Sequence, residues 1–280
     1  MRNKYLVCRK FKLALCKKAL VAGVLNVTPD SFSDGGEYFN IRAAYNRALK
    51  MQCEGADIID IGGESTRPGA AQISVTEELR RVIPLVKKLQ TRLKIPISVD
   101  TRKPEVAKQA LAAGASIIND ITGLLHDKRT GHIISSYNAA VIIMHMKGTP
   151  QTMQNAPRYT NLISEVKRKL KQGIEAAQAA GINKSSIIID PGIGFGKTVK
   201  HNLKLINNIA EFKKLKFPLL IGLSRKSFIG KTLNLDVGKR LIPTAACNAI
   251  AIQNGADIIR VHDVMEGVWT RDMVYSIISS

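Results

Sequence analysis

From Val21 onward the chain alternates two patterns of apolar residues. One is a short, nearly continuous apolar run. The other is a longer stretch in which apolar residues return every three or four positions. The first reads as a buried strand, the second as a helix with one face on a core. The runs are Val21–Val27, Asp57–Ile61, Ile97–Val99, Ser116–Ile118, Ala139–Met144, Ile187–Ile189, Leu219–Leu223 and Asp257–Val261. Between them, helices are predicted over Ile41–Cys53, Glu77–Gln90, Pro104–Ala113 and Asp127–Ser136. Further helices carry Leu162, Val166, Leu170, Ile174 and Ala177, then Leu203, Ile206 and Ile209, then about Pro243 to Asn254, with a last one reaching Ser280. A basic loop is expected from Ser224 to Arg240. Ahead of all this, Tyr5 and Val7, then Phe11, Leu13 and Leu15, alternate with polar residues across Arg9-Lys10, the pattern of a small hairpin.

Strand and helix in strict alternation imply a parallel sheet, and eight such units imply a (β/α)8 TIM barrel closed on itself. The expected organisation is an N-terminal β-hairpin over residues 1–20 and one barrel domain over 21–280, of α/β class. A doubly wound open sheet is the alternative. The motif Gly-Ala-Asp-Ile-Ile recurs at Gly55–Ile59 and Gly255–Ile259, with a relative at Gly114–Ile118, and reads as repeated helix-to-strand turn chemistry.

Composition changes this picture little. At 45% hydrophobic residues the 280-residue chain can bury a large core, and no apolar run is long enough to cross a bilayer. Cys8, Cys16, Cys53 and Cys247 are scattered without a C-x-x-C pair, which argues against zinc or a disulfide scaffold and fits a reduced, cytoplasmic setting. The net charge of +20 is unusual. The basic residues are spread over every helix, so nucleic acid is not the expected partner, although the field would draw in anionic substrates.

The chemistry lies at the ends of the strands: Asn26, Asp60, Asp100, Asn119, Met144 with His145, Asp190, Ser224 to Ser227, and Arg260 with His262. Taken singly, a strand-ending Asp or Asn is a helix cap or turn former. Together they place amides and carboxylates where a barrel would converge them. Asp100, Asn119 and Asp190 near Lys226 suit a flat heterocycle with ring N–H and amino groups, since a carboxylate accepts two such bonds side by side. Arg260 and His262 alternate on the last strand and so share a face. They read as a phosphate site, against the alternatives of an Arg260 salt bridge and a satisfied core histidine. Asp190–Lys197 is glycine-rich but lacks phosphate-loop spacing. Hard-oxygen ligation of Mg2+ by Asn26, completed by water and substrate phosphates, fits better than zinc.

These residues resemble the dihydropteroate synthase family. The matching segments are LNVTPDSFSDGG (Leu25–Gly36), DIGGESTRPGA (Asp60–Ala70), SVDT (Ser98–Thr101), INDITG (Ile118–Gly123), MHMKGTPQTMQ (Met144–Gln154), IIDPGIGFGKT (Ile188–Thr198), GLSRKSFIG (Gly222–Gly230) and RVHDV (Arg260–Val264). The resemblance implies condensation of 6-hydroxymethyl-7,8-dihydropterin pyrophosphate with 4-aminobenzoate, by Mg2+-assisted dissociative loss of pyrophosphate and attack of the aryl amine. It implies that Asp100, Asn119, Met144, Asp190 and Lys226 hold the pterin. Asn26, Thr66, Arg260 and His262 would contact the pyrophosphate, with Asn26 on Mg2+. Arg67, Pro68, Phe195 and Ser227 would border the aminobenzoate, and the catalytic groups would be Asp100, Lys226, Arg260 and His262. Loops 28–39 and 63–76 would close over the site, and the protein would be a homodimer. Two features depart from the family pattern: the bulky Leu241-Ile242-Pro243-Thr244 at the start of the penultimate helix, and the basic charge. The rivals are a pterin-dependent methyltransferase, which shares the barrel but needs no pyrophosphate contacts, and a non-enzymatic pterin-binding barrel.

Overall fold

The computed structural model describes residues 5–15, 18–27, 37–65 and 69–280, residues 37–40 by their backbone alone. It opens with an antiparallel hairpin, β1 (Tyr5–Cys8) and β2 (Phe11–Ala14). Eight parallel strands follow: β3 (Leu20–Asn26), β4 (Ile58–Gly62), β5 (Ile97–Asp100), β6 (Ile117–Asp120), β7 (Ala140–Met144), β8 (Ile187–Asp190), β9 (Leu220–Gly222) and β10 (Ile258–Val261). Each from β3 to β7 pairs with its successor, and β10 bridges β9 to β3. The ring closes where Ile189 pairs with Leu219 and the Ile189 N–H donates to Pro218 O at 2.9 Å. The open-sheet alternative is thereby set aside.

Side-chain alternation sorts the strand residues into two cores. Leu20, Ala22, Ile58, Ile117, Ile142, Ile188, Leu220 and Ile258 turn into the barrel and pack with Leu6 and Cys8 of the hairpin. The hairpin therefore plugs the end of the barrel where the strands begin. Their neighbours, among them Val21, Ile59, Ile118, Ile143, Ile189 and Ile259, turn outward under the helices. Burial on both faces is why the strands read as continuous apolar runs rather than alternating ones.

The helices are α1 (Glu37–Cys53), α2 (Val75–Leu89), α3 (Pro104–Ala113), α4 (Lys128–Ser136), α5 (Leu162–Ala179), α6 (Val199–Asn207), α7 (Ile209–Lys213), α8 (Ser227–Leu233), α9 (Leu241–Gln253) and α10 (Val264–Ile278). Gly55, Gly114 and Gly255 follow α1, α3 and α9 with φ of 96°, 117° and 102°, so the recurring motif is a shared left-handed turn from helix to strand.

Three expectations need correction. The basic loop before Arg240 contains α8 and a 3-10 turn at Val237–Lys239. Phe228 and Ile229 bury themselves, and Arg240 folds the segment back by donating to Leu235 O and Arg225 O. Seven helical residues that include Gly230 are too few to show a periodicity. The stretch holding Leu203 to Ile209 is two helices, broken at Asn208. The penultimate helix starts at Leu241 with Pro243 in its first turn, where a missing N–H costs no helical bond.

Candidate active site

One step further along, the inward positions of most strands carry the candidate site residues. Two residues beyond Ile58 stands Asp60; beyond Ile117, Asn119; beyond Ile142, Met144; beyond Ile188, Asp190; and beyond Ile258, Arg260. Asp100 ends β5 and Asn26 ends β3. Asp60, Asp100, Asn119, Met144 and Asp190 are all buried. Strand register alone thus brings most of the predicted pterin residues into one mouth.

One side of the mouth is organised around Arg260. Its Nε donates to Asp60 Oδ2 at 2.5 Å and its Nη2 to Asp100 Oδ2 at 3.3 Å. Asn119 Nδ2 donates to the same Asp60 oxygen at 3.1 Å. Among the described residues Asp60 Oδ1 is buried without a hydrogen-bond partner. Burial and the neighbouring Asp60 push the Asp100 carboxyl up, against the pull of Arg260. The salt bridge weighed for Arg260 is therefore present, and any phosphate must share this guanidinium with two carboxylates.

Asp190 and Lys226 form the other side. Burial pushes Asp190 up, opposed by Lys226 and by the Gly192 N–H, which donates to Asp190 Oδ1 at 2.7 Å. Burial likewise pushes the Lys226 ammonium down to about 8, against the attraction of Asp190. Lys226 donates to Ile193 O and stands 5.0 Å from the centre of the Phe195 ring. Phe195 is half-buried, and Ser227 is exposed as the first residue of α8.

His262, just past β10, is seated on Ser224: its backbone N–H donates to Ser224 Oγ at 3.2 Å, and that oxygen lies 3.0 Å from Nδ1. Arg225 grips Asp263 through two bonds of 2.8 and 2.6 Å, tying the loop after β9 to the loop after β10.

The glycine-rich turn after Asp190 is a packing device. A Cβ on Gly192 would stand 1.9 Å from His145 O, and Gly192 has φ of 67°. His145 is buried against Lys197, and burial pushes its imidazole down to about 2, so it stays neutral.

Thr66, Arg67 and Pro68, together with residues 28–36, lie outside the described residues. The chain flanking 66–68 is clasped by Lys103, whose Nζ donates to Glu78 Oε2 at 2.6 Å, Ile73 O at 2.9 Å and Glu64 Oε2 at 3.1 Å. Glu64 Oε1 accepts the Ile73 N–H at 3.0 Å, joining the two stems. An open cavity of about 830 Å3 lies outside the ring, between α3 and α4, and shares no residue with the mouth.

The site roles drawn from the sequence leave out Asp60, Ser224, Lys103 and Lys197. Asp60 carried a signal, its place two residues past an inward Ile. Lys103 and Lys197 carried none, since a lysine beside a helix start reads as surface.

The pterin binding enzyme family matches residues 22–262. A dihydropteroate synthase from Synechocystis is 49% identical over 249 residues, covering 89% of this chain and 86% of the relative. A Yersinia pestis dihydropteroate synthase, solved with a sulfonamide drug complex, superposes with a TM-score of 0.93 at 44% identity, covering 99% of this chain and 100% of that one. The Xanthomonas albilineans dihydropteroate synthase, solved with 4-aminobenzoic acid, gives a TM-score of 0.90 at 42% identity, over 99% and 97% of the two chains. With the barrel, the ring of polar strand ends and these matches along nearly its whole length, the chain belongs to the dihydropteroate synthase family of pterin binding enzymes.

Proposed function

We propose that this chain joins 6-hydroxymethyl-7,8-dihydropterin pyrophosphate to 4-aminobenzoate, giving 7,8-dihydropteroate and pyrophosphate. The observation that carries the reading is the convergence of Asp100, Asn119, Asp190, Lys226 and Arg260 in one buried mouth. The relative solved with 4-aminobenzoic acid supports the second substrate.

The 2-amino-4-oxo edge of a pterin offers adjacent N–H donors and one oxygen. Asp190 accepts from the donors, Lys226 donates to the oxygen, and Asn119 can do either. Met144 supplies an apolar wall. Arg260 keeps its short bond to Asp60 and turns the longer contact with Asp100 toward the phosphates, joined by His262. The methylene C–O bond then breaks and its electron pair leaves on the pyrophosphate, whose charge the cations accept. Pterin N–H groups arriving at Asp100 favour its ionised form, which steadies the cationic methylene left behind. The aryl amine, bordered by Phe195 and Ser227, forms the C–N bond and gives its proton to solvent or the released pyrophosphate. No serine or cysteine nucleophile enters this route.

Asn26 Oδ1 fits the role of a Mg2+ ligand. A Cβ on Gly62 would lie 3.3 Å from it, so this hard oxygen stands over the β3–β4 pair at the mouth. No group of three His, Cys, Asp or Glu able to hold a metal occurs among the described residues, which suits an ion held largely by water and substrate phosphates. When bound, Mg2+ would neutralise phosphate charge.

A homodimer is supported by α10, where Met265, Trp269, Met273 and Ile277 form an exposed apolar stripe at four-residue spacing beside α9. A cytoplasmic setting is supported by the unbridged Cys8, Cys53 and Cys247 and by the absence, among the described residues, of a helix able to span a membrane.

The test is pyrophosphate release on mixing the pterin pyrophosphate, 4-aminobenzoate and Mg2+. Release that requires aminobenzoate supports the reaction; none with all three present refutes it.

A further inference from the structure

Beneath the turn that follows β8 lies one buried cation. Lys197 Nζ donates to Gly192 O at 2.8 Å and to Phe195 O at 2.9 Å, and it lies 3.0 Å from His145 Nδ1. Burial pushes this lysine well below its ordinary range and the nearby Asp190 carboxylate pulls it back up; as an ammonium it has three donors and no acceptor, and these three partners use it completely.

We propose that Lys197 is a positioning residue for Asp190 and Phe195, holding the carboxylate and the ring in place from behind the pterin mouth. This rests on the reading of Asp190 as the pterin acceptor.

The bonds form a closed circuit. His145 N–H donates to Asp190 O at 2.9 Å, and His145 Nδ1 accepts from Lys197. Lys197 holds Gly192 O, and the Gly192 N–H returns to Asp190 Oδ1 at 2.7 Å. Only glycine fits at this point of the circuit, because a Cβ there would stand 1.9 Å from His145 O. The Phe195 N–H also donates to Gly192 O at 3.1 Å, so the same anchor sets the ring beside Lys226. Charge acts alongside geometry. Burial drives Asp190 toward its neutral form, and Lys226, the Gly192 N–H, Lys197 and Arg260 oppose it in that order. Lys226 is committed to ligand in the proposed reaction, and Arg260 is shared with Asp60 and Asp100. Lys197 faces Asp190, Lys226 and His145 and needs no displacement when pterin enters.

The experiment measures pterin pyrophosphate affinity of the full chain with Mg2+ across pH, for wild type, Lys197→Met and Lys197→Gln, with a melting curve for each. In Lys197→Met the pH below which affinity is lost should move up by about one unit, the low end of what losing a nearby opposite charge does. On that acid limb, affinity at a given pH should fall about tenfold, while affinity well above it should change little. Lys197→Gln can still donate to the two carbonyls, so it should show the same shift with a smaller rise in KM for 4-aminobenzoate; it carries the test if Lys197→Met does not fold. An unmoved acid limb in a folded variant overturns the proposal. So does an affinity loss equal at every pH and proportional to lost thermal stability. A wild type that binds no pterin pyrophosphate refutes the proposed function instead.

Discussion

Arg260 and Asp60, 200 positions apart, meet at 2.5 Å across the mouth of the barrel. In the proposed reaction the contact aims the guanidinium ahead of the phosphates, so its orientation would cost nothing when charge develops on the leaving group. Asp60→Asn removes that hold while keeping the shape. The expected result is a fall of about 100-fold in kcat/KM, the cost of slight misplacement in a preorganised site. Steady-state kinetics with varied pterin pyrophosphate checks it.

Asp100 makes stability depend on pH. Its folded carboxyl is pushed up by burial and Asp60, so the folded chain binds this proton more tightly than the unfolded chain does. Its contribution is fully present below the ordinary carboxylate range and is lost as pH rises toward the raised value. Asp190 is shifted in the same direction and adds to the slope. Asp100→Asn has no such proton to lose. Urea unfolding of wild type and variant between about pH 4 and pH 7 should show a gap in favour of the variant that widens as pH rises.

Lys103 pairs with Glu78, a fully buried carboxylate whose other oxygen has no hydrogen-bond partner among the described residues. Lys103→Met should cost about 3–5 kcal/mol, the penalty for stranding a buried charge. Adding Glu78→Gln to that variant should restore part of the loss. Chemical denaturation measures both.

The apolar stripe on α10 predicts the oligomeric state. Trp269 is 60% exposed, and Trp269→Glu should convert a dimer to a monomer with its fold intact, as read by light scattering and circular dichroism. A wild type that is already monomeric contradicts the homodimer.

The barrel was legible because its strands are buried on both faces and its helices on one, so the apolar pattern changed period at each boundary. Asn119, Asp190 and Arg260 were legible for a related reason: each sits two residues past an inward apolar side chain, where parity leaves it no other direction. What stayed hidden depends on contacts between distant segments. Helix α8 is held by Arg240 and by burial of Phe228, neither of which leaves a periodic trace. Lys103 and Lys197 look like surface lysines until the carbonyls and carboxylates around them are seen. The pairing of Arg260 with Asp60 needs the closed ring, which local sequence does not encode.

Calorimetric titration of the pterin pyrophosphate into wild type and Asp190→Ala, both shown to be folded, asks directly whether one mouth grips a pterin through Asp190. Saturable binding by wild type and none by the variant is the predicted result. Equal affinity in the two proteins would contradict it.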